Sequence, residues 1–355
     1  MSWMTRLFNI TWKSGTVPKE WQTGVVVPLF KKGDQRVCAN YRGITLLSLP
    51  GKVYSSVLER RIQPIVEPRI EEEQCGFRPG HGTTDQLFTL ARIMDGAWEY
   101  AHSVYMCFVD LEKAYARVPR GLLWEVLREY GVRGSLLRVI QSLYSQSESC
   151  VRMLGKKSDS FQVGVGLPQG CALSPILFVI FKDRISKRSH GGEGLRFGDL
   201  MISSLLFADD VVLMASSVRD LQHSLDRFAA ECEAAGMRTS TSKSEAMVLS
   251  RKLMECLLWV GNEYLTQVKE FKYLGVLFTS EGTCEREIGQ RIGAAGAELQ
   301  SLYRTVVTKR ALSRKAKLSI YRAISVPTLT YGHEGYVVTE RTRLWVQAAE
   351  MGFLP

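Results

Sequence analysis

The chain has 355 residues, 45% hydrophobic and 23% charged, a balance that excludes fibrous and disordered classes and supports a packed core of two or three structural units. Its formal net charge of +10 points to an acidic polymer as partner. The longest unbroken apolar run, Ile176 to Phe181, is far too short to span a membrane, and the first 15 residues carry Arg6, Asn9 and Lys13 where a secretory leader needs an apolar stretch, so an intracellular protein with no membrane contact is expected. Eight cysteines, at positions 38, 75, 107, 150, 171, 232, 256 and 284, show no C-x-x-C pairing. They read as reduced, mostly buried thiols and not as a disulfide or zinc framework.

Along the chain, Trp21 to Leu29 and Ile44 to Leu49 have strand composition, and the apolar positions Val53, Val57, Ile62 and Val66 predict a helix over Lys52 to Val66. A second helix is expected over Thr84 to Tyr100. Val104 to Asp110 reads as a buried strand ending in an acid; helices then follow at Gly121 to Tyr130, closed by Gly131, and at Ser135 to Tyr144. A Gly-rich loop leads into a helix over Pro175 to Arg184. In Ser203 to Ala215 two apolar runs flank Asp209 and Asp210, which is a hairpin pattern. Asp220 to Ala235 has helical spacing and stops at Gly236, and strand pairs fit Leu257 to Leu265, turning at Gly261-Asn262, and Phe271 to Phe278. Past Glu285 the chain reads as helical, with Leu312, Ala316, Ile320 and Ala323 inward. Between Ser301 and Ser325 stand Arg304, Lys309, Arg310, Arg314, Lys315, Lys317 and Arg322 with no acid, a block too lopsided to serve solubility alone. Interleaved strands and helices with hairpin connections define an α+β class.

Two adjacent carboxylates at a hairpin tip between apolar arms repel each other near a low-dielectric core, and the arrangement calls for a compensating cation. An exposed Asp-Asp turn would also satisfy the local pattern. Asp110 adds weight to the first reading, because it too ends an apolar strand. Two such ends side by side would gather Asp110, Asp209 and Asp210 as oxygen ligands for Mg²⁺, a cluster suited to phosphoryl or nucleotidyl transfer.

These residues stand in a larger set: FADD at 207–210, FVDLEKAY at 108–115, LPQGCALSP at 167–175, NYRGITLLS at 40–48, GFRPGHGTTDQL at 76–87 and FKYLGV at 271–276. In order and spacing they resemble the motifs of reverse transcriptases, of the type encoded by LINE-like non-LTR retrotransposons, from about Trp21 to Phe278. The resemblance implies a right-hand fold, with fingers and palm over residues 1–280 and a basic, incomplete thumb-like region over 281–355. It implies an RNA-directed DNA polymerase working on an RNA template, a DNA primer and deoxynucleoside triphosphates. Asp110 and Asp209 would hold two Mg²⁺ ions, with Asp210 as supporting acid. Tyr115 would crowd a ribose 2′-hydroxyl, and Gln169 and Gly170 would abut the incoming nucleotide. Arg42, one of Lys31 or Lys32, and Arg78 would clamp the triphosphate, Arg being suited to bidentate pairing with phosphate. Lys243 matches a position proposed to protonate the leaving pyrophosphate, Phe271 to Val276 a hairpin that grips the primer end, and Arg310, Arg314, Lys315 and Lys317 would track the nucleic-acid backbone.

Departures from the family pattern are local. Ala114-Tyr115-Ala116 stands where an acid commonly follows the aromatic, and Pro168 where an arginine is frequent. The chain begins near the fingers and stops in a basic helical stretch, with neither an upstream endonuclease nor a downstream Cys/His knuckle, so a fragment or a decayed copy is expected. Two competing readings are a nucleic-acid-binding remnant without turnover, and an RNA-dependent RNA polymerase or maturase with a similar palm.

Overall fold

The computed structural model describes residues 2–302, 312–335 and 339–351. In chain order the elements are α1 (Trp3–Ser14), α2 (Lys19–Gln22), β1 (Thr23–Phe30), β2 (Tyr41–Leu46), α3 (Leu49–Val66), α4 (Thr83–Glu99), β3 (Val104–Val109), α5 (Ala114–Arg117), α6 (Arg120–Glu129), α7 (Gly134–Ser145), β4 (Glu148–Met153), β5 (Lys156–Lys157), β6 (Phe161–Gln162) and α8 (Ser174–Ser189). They continue as β7 (Leu195–Phe197), β8 (Leu200–Ile202), β9 (Ser204–Phe207), β10 (Asp210–Ala215), α9 (Val218–Ala234), β11 (Glu245–Leu249), β12 (Trp259–Val260), β13 (Glu263–Tyr264), β14 (Thr266–Gln267), β15 (Glu270–Tyr273), β16 (Val276–Thr279), α10 (Glu285–Leu302), α11 (Arg314–Thr330) and α12 (Glu340–Met351).

Two sheets organise these elements. The first runs β2-β1-β4-β5 with β6 also on β4, and the second runs β14-β11-β3-β10-β9. In the second, β3 is central and buried along its whole length, as its uninterrupted apolar sequence requires. It pairs antiparallel with β10 on one side, Val109 opposite Val211, and with β11 on the other, Phe108 opposite Glu245. One face of this sheet packs on α8, α9 and α6 through Val211, Leu213, Phe178 and Phe228; the other packs on α4 and β15 through Met106, Phe108, Leu90 and Tyr273. Phe108 stacks on Phe271 with ring centroids 3.7 Å apart, which fastens the β15–β16 hairpin to the sheet with about 1 kcal/mol beyond its area burial.

Local chemistry explains most boundaries. Ser48 accepts a hydrogen bond from the Gly51 N–H, so α3 begins at Leu49 and the strand before it ends at Leu46, three residues earlier than composition suggests. The first turn of the expected Trp21 strand is instead helix α2, because Pro18 opens it and Trp21 and Gln22 are buried there. The Leu257 to Leu265 pair shrinks to two residues per strand around Gly261, whose φ is +61°. Helix α8 runs to Ser189, five residues beyond expectation, since Asp183 and Ser186 are buried on it. Strands β4 and β11 carry no alternating pattern of their own and were not expected; β11 is held by pairing to β3. In α11, Ser313 caps the first turn by accepting from the Ala316 N–H, and Leu312, Ala316 and Ile320 are half-buried, but Ala323 is exposed and Ser325 takes the buried position. The α10–α11 unit is tied to the body by Tyr331, whose hydroxyl donates to the Leu274 carbonyl at 2.7 Å. Among the described residues no helix is long and apolar enough to cross a membrane.

Behind the second sheet lies a buried polar cluster. Asp183, wholly buried on α8, accepts from the Glu71 N–H at 3.0 Å, the Lys187 ammonium at 2.7 Å and the Tyr130 hydroxyl. Burial, then the Asp183 and Glu73 carboxylates, pushes the Glu71 carboxyl up to about 7 against the pull of Lys187. A raised acid stabilises the fold fully below its unfolded value near 4.5 and loses that contribution as pH rises through 7. Glu71→Gln should therefore match the parent below pH 4.5 and exceed it at pH 8 by roughly 1–3 kcal/mol in denaturant unfolding. Parallel stability–pH curves for the two chains would exclude this role for Glu71.

Candidate active site

The antiparallel register of β10 on β3 brings the acidic ends of both strands together at one edge of the second sheet, Asp210 preceding Val211 as Asp110 follows Val109. Asp209 precedes Asp210 in the two-residue turn that joins β9 to β10, where Phe207 pairs with Asp210. The first turn residue, Ala208, has φ +50°, a left-handed conformation costly for any residue with a Cβ. Three partners hold it there. The Ala208 N–H donates to Gln74 Oε1 at 3.2 Å, and Gly76 crosses so close that a Cβ on it would stand 2.2 Å from the Ala208 nitrogen. The third is Lys182 on α8, fully buried, whose Nζ donates to the carbonyls of Ala208 at 2.5 Å and Asp210 at 2.6 Å.

Lys182 is the cation that the paired carboxylates demand, and no sequence signal singled it out. Burial drives its ammonium down to about 7 against the upward pull of Asp209, Asp210 and Cys232. Asp210 is exposed at the start of β10. Burial, then Asp209, raises its carboxyl above the usual range; Lys182 opposes this and Asp110 adds to it. On the solvent side Lys243 Nζ lies 3.1 Å from Asp110 Oδ2. The turn carrying Lys243 is anchored beneath Asp110: the Asp110 N–H donates to Ser244 Oγ at 3.0 Å, and the Ser240 N–H to the Asp110 carbonyl at 2.8 Å.

This edge forms the floor of a cleft of about 520 Å³ between the two sheets. Its lining takes in Asp110, Asp209, Lys243 and Tyr115 from the second sheet's side and Lys31, Tyr41, Arg42 and Gln169 from the first. Arg42 Nε donates to Gln169 Oε1 at 3.0 Å, and the Thr45 N–H to the Gln169 carbonyl at 2.7 Å, so β2 and the loop before α8 make one wall. Tyr115, on α5, stacks on Phe178 at 4.6 Å and 20° while its remaining surface faces the cleft. Burial, then Asp209, pushes its phenol well above the usual range, with Arg42 acting the other way.

Three expected residues stand elsewhere. Arg78 is almost fully buried, paired with Glu67 at 2.8 Å and donating to the carbonyls of Glu71 and Gln74 at 2.7 and 2.8 Å; its guanidinium knits the 67–78 segment together and does not line the cleft. Lys32 is exposed outside the lining, leaving Lys31 as the one of the pair that lines the cleft. Gly170 is required, at φ +116°, but by the Thr45 carbonyl, which a Cβ would meet at 2.6 Å, and not by the cleft itself. Of the basic run, Arg304, Lys309 and Arg310 lie outside the described residues; Arg314 and Lys315 are exposed on α11 and Lys317 is half-buried. Asp110 and Asp209 line the cleft floor and Asp210 adjoins Asp209; their carboxylates offer only oxygen donors, the ligand type of hard divalent cations.

The arrangement of sheets, turn and cleft is that of a right-hand polymerase. Over 99% of this chain and 65% of the other, it superposes on telomerase from Candida tropicalis, solved in complex with a TWJ fragment of telomeric RNA, with TM-score 0.55 at 12% identity. Apo telomerase from the same organism, truncated from its C-terminal domain, gives 0.51 at 16% identity over 78% of this chain and 58% of that one. Residues 30–278 match the reverse transcriptase (RNA-dependent DNA polymerase) family, and the chain belongs to it. It is 27% identical to the RNA-directed DNA polymerase from mobile element jockey of Drosophila funebris, across 96% of this chain and 38% of that protein. Identity is 25% to the Pol polyprotein of type-2 retrotransposable element R2DM of Drosophila melanogaster, across 92% of this chain and 31% of that protein. The chain thus spans well under half the length of these LINE-like, non-LTR relatives.

Proposed function

We propose that this chain extends a DNA primer on an RNA template with deoxynucleoside triphosphates, residues 1–280 forming fingers and palm and 281–355 a thumb-like region. One observation carries the reading: the β3–β10 register sets Asp110 beside the Asp209-Asp210 turn on the floor of a cleft whose opposite wall presents Arg42 and Lys31. Asp110 and Asp209, with Asp210 in support, are the residues to hold two Mg²⁺ ions. Such a pair supplies charge, lowering the pKa of the primer 3′-hydroxyl and stabilising the pyrophosphate leaving group.

The protein's own contribution is position. Arg42, oriented by Gln169, offers a planar fork to the triphosphate oxygens, and Lys31 adds a point charge beside it. Lys243 stands close enough to Asp110 to serve as proton donor to the leaving group once the triphosphate draws it across the cleft. Tyr115, backed by Phe178, forms a fixed floor under the sugar of the incoming nucleotide. Its bulk excludes a 2′-hydroxyl, so Tyr115→Val should raise the ratio of ribonucleotide to deoxynucleotide incorporation at least tenfold, equivalent to about 1.4 kcal/mol in relative transition-state stability. Single-nucleotide insertion kinetics on one primed RNA template test this. An unchanged ratio with a lowered melting temperature would leave Tyr115 as packing for Phe178 only.

Exposed cations on α11 suit the backbone of a primer–template duplex. Replacing Arg314 and Lys315 by Ala should weaken duplex binding regardless of sequence and reduce the slope of log affinity against log salt by about 1 per lost contact. A salt slope equal to the parent's would mean that α11 faces only water.

A further inference from the structure

We propose that Cys75, His81 and Asp85 form a binding site for one zinc-type divalent transition metal, separate from the aspartate cluster in the cleft. The cysteines offer no paired framework in the sequence. Here, instead, one thiol meets an imidazole and a carboxylate at the entrance to α4, with ligand atoms all within 4.8 Å of one another. His81 Nδ1 is 3.9 Å from Asp85 Oδ2. Ligand atoms on tetrahedral zinc, bound at about 2.0–2.3 Å, stand roughly 3.5 Å apart, so closure asks for about 1 Å of movement.

The local chain can supply that movement. His81 sits between Gly80, at φ +77° with none of the described residues within 4 Å of where a Cβ would be, and Gly82. Asp85 is already oriented, because its Oδ2 accepts from the Gly82 N–H at 2.7 Å, and that carboxylate retains lone pairs for a metal. Cys75 is buried at the closed side of the cluster, with the Gln86 side chain beside its sulfur. Gln86 itself is 2% exposed, and its Oε1 has no hydrogen-bond partner among the described residues.

The donor set decides the metal. Sulfur, nitrogen and oxygen together select zinc and its neighbours, whereas the all-oxygen cluster of Asp110, Asp209 and Asp210 suits magnesium. With three protein ligands, the fourth position goes to water. On binding, the Cys75 S–H bond breaks, the thiolate bonds the metal and the proton passes to solvent. The consequence for the fold is a clamp: the Cys75 N–H donates to the Leu206 carbonyl at 2.9 Å, and Leu206 is on β9, next to the turn that carries Asp209.

Cobalt(II) is the probe, added to the full chain stripped of metal by a chelator. The parent should bind cobalt with a sulfur-to-cobalt charge-transfer band and the visible bands of a tetrahedral ion that saturate at one equivalent, and zinc should displace that ion. Cys75→Ser should lose the band and Asp110→Asn should keep it. His81→Ala, at an exposed ring with little risk to folding, should bind zinc at least tenfold more weakly and lose the rise in melting temperature that zinc gives the parent. Absence of the charge-transfer band in the parent, its persistence in Cys75→Ser, or a zinc affinity of His81→Ala within twofold of the parent's would overturn the proposal.

Discussion

Asp110→Asn or Asp209→Asn should reduce divalent-cation-dependent primer extension by at least a thousandfold while leaving affinity for the primer–template duplex within about threefold of the parent. The separation follows from the geometry. Both carboxylates lie on the cleft floor, whereas the cations suited to duplex backbone lie on α11. Asn keeps the shape of Asp and removes the charge, so strand pairing between β3 and β10 should survive. Asp110 offers an additional check, since its loss frees Lys243 from its 3.1 Å partner without disturbing the buried Lys182. Extension by either variant near the parent rate, at equal duplex affinity, would remove these aspartates from the chemistry.

Lys182→Met should be the most damaging change outside the cleft lining. Methionine matches the volume but leaves the carbonyls of Ala208 and Asp210 without their buried donor, costing on the order of 2–4 kcal/mol of stability. It also releases a turn held at φ +50°, so Asp209 should shift, and displacements near 1 Å can cost about a hundredfold in rate. Nucleotide insertion by the folded variant, at a temperature where circular dichroism matches the parent, should fall by about that factor with duplex affinity unchanged. A variant of lower stability that inserts nucleotides within twofold of the parent rate would make Lys182 a packing residue only.

Lys182 also marks the boundary of what the sequence made legible. The acids were readable because each ends an apolar strand run, and their adjacency at a hairpin tip raised the need for a cation. Which cation was not readable: Lys182 follows the apolar run Ile176 to Phe181 and precedes Asp183 and Arg184, which locally resembles a helix leaving the core for water. Only the tertiary placement of α8 under the turn makes that position interior. Arg78 shows the converse. Its motif suggests a phosphate ligand, but guanidinium chemistry serves equally for Glu67 and two carbonyls, and the partner is set by how the 67–78 segment folds back on itself. Gly170 was expected to let the backbone approach the incoming nucleotide, and the group that approaches it in the fold is the Thr45 carbonyl. Strands β4 and β11 escaped notice for a related reason: neither alternates, and their stability comes from partners β1 and β3, distant in sequence.

The most direct measurement of the central claim is extension of a DNA primer annealed to an RNA template by the parent chain, with deoxynucleoside triphosphates and Mg²⁺, read at single-nucleotide resolution. The aspartate cluster, the Arg42–Gln169 wall and Tyr115 together predict template-directed lengthening that requires the divalent cation and strongly disfavours ribonucleotides. A chain that binds the same primed template tightly, with its native circular dichroism and melting transition, yet adds no nucleotide at any Mg²⁺ concentration would contradict the account and leave a nucleic-acid-binding remnant of the fold.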